Sequence, residues 1–433
     1  MPLDDQHSKN LDLPPATDGR TIWLRVGTLL DGTSTNPLRD AHVVYDKSTI
    51  LFVGEDSPPG NVLGINQKQP DMEFPDFTLL PGLIEAHAHF FLEGGELNLD
   101  KRAAYLKQTP GDLLKAARTR LDKLVRLGII VVRDAGDKNG VGLALSKLYA
   151  SAEKPRMPYV DSPGAAIHHK GRYGSFMAEP VENCDSLKQC VEARVKAGAD
   201  RIKLIPTGII NFKQGAVTTE PQMTTDEVTE LVAAAKSFGK QTLAHASGDV
   251  GIERAIDGGV DSIEHGFFVR DDQLAKMRDR QIAWVPTFSP VQEQVDHADR
   301  MGWDAQVVSN LQQILEHHAA SLVKAHEMGV QILAGSDAGS CGVAHGLGFL
   351  YELELMQRAG LSPISVINSA TGASSSRLAF KEKFGQIKAG YKSRFILARH
   401  SPLESVSNLR KRRSVVLDGE VFESDEDFDS AGL

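Results

Sequence analysis

Cysteine is nearly absent. Cys184, Cys190 and Cys341 are the only three in 433 residues. They are scattered, with no Cys-x-x-Cys pair, which excludes a disulfide framework and fits reduced, buried thiols in a cytoplasm-like compartment. No apolar run approaches the ~20 residues that a membrane helix needs, so no membrane partner is expected. The polar stretch from Met1 to Gly19 carries Asp4, Asp5 and Asp12 and no apolar segment, which argues against a secretory signal. Positive charge is also in deficit. The formal net charge is -9, the wrong sign for a protein that neutralises phosphates, so no nucleic-acid partner is expected. The one basic run, Arg410 to Arg413, abuts the apolar Ser414-Val415-Val416-Leu417 and reads as a solvated strand edge. Nor does any Gly-x-Gly-x-x-Gly open a strand–helix unit, which counts against a dinucleotide site.

What is present is an ordinary globular balance, 41% hydrophobic and 24% charged, able to bury a large core. Up to about Glu73 the pattern is one of short strands at hairpin spacing: Thr21–Val26, Ala41–Tyr45 and Ile50–Gly54. From Thr78 the rhythm changes, and apolar runs alternate with amphipathic stretches. The strand candidates are Leu79–Ile84, Ile129–Val132, Arg201–Ile205, Thr242–Ala244, Ser262–Ile263, Ala283–Val285 and Gln331–Ala334. Between them, Asp226 to Phe238 places Val228, Leu231, Val232 and Ala235 on one face of a predicted helix. Continuous apolar strands with intervening helices imply a parallel sheet covered on both faces. That many units predict an α/β fold, a TIM-like (β/α)8 barrel over 79–389. The β-like ends, 1–78 and 390–433, are predicted to join in a small flanking β-sandwich domain, and the acidic tail after Ser424 to fray.

Chemistry concentrates at the predicted strand ends. His87-Ala88-His89 follows the first barrel strand, and residues two apart in an extended segment point the same way, so both imidazoles can face one metal. Lys203 lies in Arg201-Ile202-Lys203-Leu204, His245 follows Thr242-Leu243-Ala244, His265 follows Ser262-Ile263-Glu264, and Asp337 follows Leu333-Ala334-Gly335-Ser336. In a parallel barrel these ends converge on one face, where active sites sit. Imidazole and carboxylate together suit zinc or another borderline divalent ion. Alone, Lys203 reads as a solvated or ion-paired lysine.

This ordered set resembles the amidohydrolase superfamily, in its prolidase-like, imidazolonepropionase-related branch. The matching stretches are Leu80 to His89, Gly128 to Gly136, Ala199 to Gly208, Lys240 to Gly248, Ala255 to Gly266 and Leu333 to Gly339. The resemblance implies two divalent metal ions, with zinc expected. His87, His89 and Asp337 would hold one and His245 and His265 the other, with Lys203 bridging both as a CO2-derived carbamate. A free ammonium has no lone pair to give, whereas a carbamate offers two anionic oxygens. The implied reaction is hydrolysis of a C–N amide bond in an N-acyl amino acid or a dipeptide-like small molecule. The metals would lower the pKa of a bridging water from ~15.7 towards ~7, and Asp337 would shuttle its proton to the leaving amine. A homo-oligomer is the family expectation.

Where the family has a Gly-His-Gly turn after the third strand, this chain has Ala166-Ile167-His168-His169-Lys170-Gly171. His169 is taken as the catalytic candidate there, with His168, Arg172 and Tyr173 as substrate-binding candidates. Cys341 and His345 are placed to line the site or to pack beside it, and His317, His318 and His326 are expected on a solvated helix face. Two other hydrolytic readings share the same metal ligands, a lactonase or phosphotriesterase and a cyclic-amidine deaminase. Against the deaminase, His245 is followed by Ala246-Ser247-Gly248-Asp249 with no nearby Glu. A barrel kept only as an interaction scaffold should have lost ligands, and all six are intact.

Overall fold

The protein is described from a computed structural model covering residues 13–64, 67–151 and 156–424. The acidic tail after Ser424 and most of the polar N-terminal stretch lie outside the described residues. In chain order the strands are β1 (Ile22–Leu29), β2 (Leu38–Tyr45), β3 (Ile50–Gly54), β4 (Met72–Pro81), β5 (Leu83–Ala88), β6 (Ile129–Asp134) and β7 (Tyr159–Asp161). They continue as β8 (Ile202–Leu204), β9 (Thr242–Ala246), β10 (Ser262–His265), β11 (Ala283–Val285), β12 (Arg394–Ala398), β13 (Arg413–Leu417) and β14 (Glu420–Ser424). The chain divides into two compact units. One comprises the residues up to Ile84, Asp122–Ile130 and those from Pro363 onward; the other comprises Glu85–Leu121 and Val131–Ser362.

In the first unit both chain ends enter one seven-stranded sheet, ordered β14-β13-β12-β4-β1-β2-β3. The two chain ends were expected to join in a small flanking β-sandwich; their strands are continuous in one hydrogen-bonded sheet. The cause is the ten-residue β4, which pairs parallel with β1 on one side and antiparallel with β12 on the other. Alternate residues of these strands, among them Leu24, Val26, Val43, Phe395 and Leu397, are buried in one apolar cluster. Each such side chain contributes about 1.5–3 kcal/mol of burial free energy. Arg413, from the basic run, is buried in β13 and is not on a solvated edge.

In the second unit the strands are parallel and joined by helices. β8, β9, β10 and β11 are neighbours in sequence order, with helices Thr225–Ser237, Asp249–Asp257 and Asp271–Asp279 between them. Thr224 and Glu227 form a capping box that starts the first of these helices. β6 pairs parallel with β7, a strand the sequence reading did not anticipate. The predicted strand Gln331–Ala334 is reduced to a single bridge, Trp284 to Ile332. Its backbone still links its neighbours: Trp284 donates to the Gln331 carbonyl, and Ala86 donates to the Ala334 carbonyl. Ile167 similarly bridges to Leu204 of β8. This is the α/β arrangement of a TIM-like barrel, with β5 to β11 buried along their length. No helix among the described residues is long and apolar enough to cross a membrane.

Candidate metal centre

The carboxyl ends of these strands bring the six expected ligands together. Single ligand atoms of His87, His89 and Asp337 lie within 4.8 Å of one another, and Asp337 Oδ1 is 3.5 Å from Nε2 of each histidine. The rings of His245 and His265 are 4.5 Å apart, and His265 is 5.1 Å from His87. His89, Lys203, His245, His265 and Asp337 line one cavity of about 240 Å³. His265 and Asp337 adopt left-handed backbone, at φ 70° and 57°. Side chains seldom tolerate that conformation, and it persists where the surroundings over-determine it, as they do at functional strand ends. Gly335 permits the approach of Asp337 to the first strand, since a Cβ there would lie 2.8 Å from the His87 backbone nitrogen. Asp337 then donates its amide to the His87 carbonyl at 2.8 Å.

Each imidazole has one nitrogen fixed by the protein. His87 Nδ1 bonds Glu264 at 2.5 Å, His89 Nδ1 the Gly136 carbonyl at 3.0 Å, His245 Nε2 the Gly208 carbonyl at 3.3 Å, and His265 Nδ1 the Thr287 hydroxyl at 2.8 Å. The carbonyl contacts require N–H at that nitrogen in a neutral ring, which leaves a lone pair on the other. His87 Nε2 is the sharpest case: fully buried, with no hydrogen-bond partner among the described residues. A buried unsatisfied nitrogen is costly, and a cation is the partner it lacks. Burial pushes all four imidazoles down, His89 and His245 to about 3, so they are held neutral as ligands must be. Burial pushes Asp337 up to about 7, against the hydroxyl of Ser340 that donates to its Oδ2 at 2.8 Å. Lys203 is 1% exposed. It has no ion pair within 4 Å among the described residues, and burial lowers it to about 8. The donor set fits divalent metal.

Supporting residues that the sequence reading did not single out stand behind these ligands. Glu264 accepts from His87, from Ser262 Oγ and twice from Arg133 Nη2, at 2.8 and 2.9 Å. Arg133 also donates to Ser262 and to the Ala86 carbonyl, so one buried network ties β5, β6 and β10. Glu85 accepts from the Ser336 amide and hydroxyl and from the His87 amide, fixing the turn into Asp337. Arg102 donates to the Gly339 carbonyl at 2.7 Å and holds the loop beyond it. The sequence carried a signal for three of these: Glu85, Arg133 and Glu264 are charges inside otherwise apolar strands, where a charge must be paired.

The loop candidates fare differently. His169 has Nδ1 2.8 Å from Glu182 and Nε2 3.2 Å from Glu227, and it does not line the cavity. His168 is buried with its nitrogens on the carbonyls of His169 and Ala178. Tyr173 reaches the cavity, its ring 5.1 Å from that of His245. Arg172 is exposed, donates to the Glu220 carbonyl, and lines an adjoining hollow. Cys341 lines the cavity, while His345 packs behind His89 with Nε2 on its carbonyl at 3.0 Å. His317 and His326 are exposed as expected, but His318 is fully buried. It shares the helix face of Leu311, Ile314, Leu322 and Ala325, and stacks on Phe267 with ring centroids 4.1 Å apart.

The sequence profile of the Amidohydrolase family matches residues 78–422. The chain is similar to an ochratoxinase of Aspergillus niger, 24% identical over 434 residues, covering 94% of this chain and 88% of that protein. Its fold superposes on that of a solved Xaa-Pro dipeptidase with bound methionine in its active site, with a TM-score of 0.77 and 26% identity over 93% of this chain and 100% of that one. The crystal structure of A. niger ochratoxinase gives a TM-score of 0.79 at 22% identity, covering 94% and 96%.

Proposed function

The chain belongs to the Amidohydrolase family, in its prolidase-like part, and on that footing we propose that it is a metal-dependent hydrolase of C–N amide bonds acting on an N-acyl amino acid or dipeptide-like small molecule. The observation that carries this reading is the buried Nε2 of His87, without a hydrogen-bond partner among the described residues and set beside His89 and Asp337 within the span of one cation. His87, His89 and Asp337 would hold one ion, and His245 and His265 a second. When bound, such ions polarise a carbonyl and lower the pKa of water towards neutrality; zinc suits the donors.

Lys203 would help hold both ions as a carbamate, formed when its neutral amine adds CO2 and releases a proton. Its burial, and the absence of an acid within ion-pair distance among the described residues, favour the neutral amine that this addition needs. Asp337 receives the proton of the attacking water at its carboxylate and delivers it to the nitrogen as the C–N bond breaks. Ser340 holds Oδ2 of that carboxylate, leaving Oδ1 toward the histidines. The family relatives named an ochratoxinase and a dipeptidase support an amide over an ester or phosphorus centre. We also take the eight strand positions, from β5 round to the segment at Ile332, as one closed barrel, on the strength of the backbone bonds from that segment to β5 and β11.

Elemental analysis of the purified protein should give about two divalent ions per chain, and intact mass should show one added CO2, lost on Lys203→Ala. One ion with an unmodified Lys203 would sink the bridged centre. Turnover confined to lactones or phosphotriesters, with none on amides, would sink the C–N assignment.

A further inference from the structure

Arg102 differs from the cations around it. It projects from the helix Leu99–Tyr105 and makes no ion pair within 4 Å among the described residues. Two glutamates near it in the chain are taken by other cations, Glu96 by Lys101 at 3.4 Å and Glu93 by Arg120 at 2.6 Å. Its guanidinium is spent on backbone oxygens of two segments instead. Nη1 donates to the carbonyls of Glu93, Glu96 (3.4 Å) and Ser340 (3.5 Å), and Nη2 to that of Gly339 at 2.7 Å. The first two belong to the connection that leaves β5, the last two to the turn after Asp337. A planar fork of five donors can hold separated carbonyls in this way, and an ammonium cannot.

The two segments lie against each other. Ala88 bridges to Ala338, and the His89 amide donates to the Ala338 carbonyl at 2.7 Å. A Cβ on Gly94 would lie 2.2 Å from the Val343 carbonyl oxygen, so a side chain there would drive the segments apart. Inside the turn, the Ser340 amide donates to the Asp337 carbonyl at 3.0 Å, and its hydroxyl donates to Asp337 Oδ2 at 2.8 Å. Arg102 therefore grips the peptide units on both sides of the residue that orients the carboxylate.

We propose that Arg102 is a positioning residue for amide hydrolysis: by fixing the backbone before and after Ser340, it aims the Ser340 hydroxyl and, through it, the Asp337 carboxylate. The effect on rate rests on the amidase reading above; the clamp itself does not. Without the guanidinium the turn keeps its internal bonds, Gly339 to the Val343 carbonyl and Val343 to the Ser340 carbonyl. Those bonds move with the turn and do not tie it to the connection from β5. A reacting group misplaced by about 1 Å loses on the order of 10²-fold in rate. The apolar walls of the cavity come mainly from other segments, among them Phe176, Phe212, Phe267 and Val291, so substrate binding should change little. Arg120 is the matched control. It holds the same connection from the other side, through the Phe90 carbonyl at 2.9 Å and the Glu93 carboxylate at 2.6 Å, and makes no hydrogen bond to the Asp337 turn among the described residues.

The test compares Arg102→Ala, Arg102→Lys and Arg120→Ala at saturating zinc, on the fastest-cleaved member of a panel of N-acetyl amino acids and Xaa-Pro dipeptides. Arg102→Ala should lose about 10–100-fold in kcat, with KM changed by less than about threefold. Arg102→Lys should recover part of the loss. Guanidinium chloride far below denaturing concentration should restore Arg102→Ala, with no gain for Arg120→Ala. Hydrogen exchange on the metal-free proteins should rise over residues 339–345 in Arg102→Ala and stay unchanged there in Arg120→Ala. A kcat near that of wild type, a loss matched by Arg120→Ala, or a loss that extra zinc abolishes overturns the positioning role. Unchanged exchange over 339–345 in Arg102→Ala overturns the clamp. If wild type with zinc bound cleaves no member of the panel, the amidase reading fails and the positioning role with it, while the exchange result still decides the clamp.

Discussion

Replacing Glu264 by glutamine removes the charge that faces His87 Nδ1 and Arg133 while keeping the side chain's size. Two losses are expected, and they can be separated. The first is in the metal site: without a carboxylate at 2.5 Å, His87 is a weaker and less well oriented ligand. Loss of such an outer partner lowers metal affinity by about 10–100-fold, or about 1.4–2.8 kcal/mol. The second is in the fold. Arg133 is 1% exposed and would keep its charge while losing the carboxylate that faces it, with Ser262, the Ala86 carbonyl and the Gln amide oxygen as neutral acceptors; breaking a buried pair from one side costs about 3–5 kcal/mol. The double variant Arg133→Met, Glu264→Gln removes the stranded cation and should recover most of the fold term without recovering the metal term. Urea unfolding of the metal-free proteins measures the one, and competition titration against a chelator of known affinity measures the other. If the double variant bound metal as tightly as wild type, Glu264 would be a packing residue and the positioning argument would be wrong.

Asp337→Asn should retain much of the metal, since the amide oxygen can still ligate, yet lose about 10²–10⁴-fold in kcat; metal content measured alongside turnover checks this, and a substantial residual rate would contradict the proton-shuttle role. His318 gives a pH prediction. Burial holds it at about 3 in the folded chain against an ordinary 6.5, so below pH 6.5 the unfolded chain takes up a proton that the folded chain refuses. Stability therefore falls as pH drops from 6.5 towards 3, by up to about 1.4 kcal/mol per pH unit from this residue. His318→Gln, which can still donate to the Pro286 carbonyl, should flatten that slope in urea titrations at pH 4.5 to 7, and an unchanged slope would refute the assignment.

Much of the centre was legible before any coordinates. A histidine pair two apart in an extended strand, and single polar groups closing later apolar strands, can be read because the barrel's parallel topology carries every strand end to one face. The six expected ligands meet for that reason. What stayed illegible depends on loops and helix faces, where no period applies. His168 and His169 were candidates by position alone, and the structure spends their nitrogens on local partners, Glu182 and Glu227 among them. His318 was misjudged because a polar residue type outweighed its place in the buried 3–4 spacing of Leu311, Ile314 and Leu322. The single bridge at Ile332 shows the reverse error, since apolar composition suggested more regular pairing than the backbone makes. The apolar walls from Phe176 and Phe212 lie in long connections whose side chains only tertiary packing can direct.

The expected ligands are strung along the chain from His87 to Asp337, one or two to a strand, and this sets an order of events during synthesis. A ribosome that has released the first histidine pair has still to make some two hundred and fifty residues before the aspartate that faces it exists. Until then the nascent chain exposes isolated imidazoles, which bind metal weakly and without the geometry that distinguishes one ion from another. On the proposed two-metal reading, metal selection would therefore follow the folding that brings these strand ends together, and a polypeptide cut short anywhere before Asp337 would be released with the site unmade.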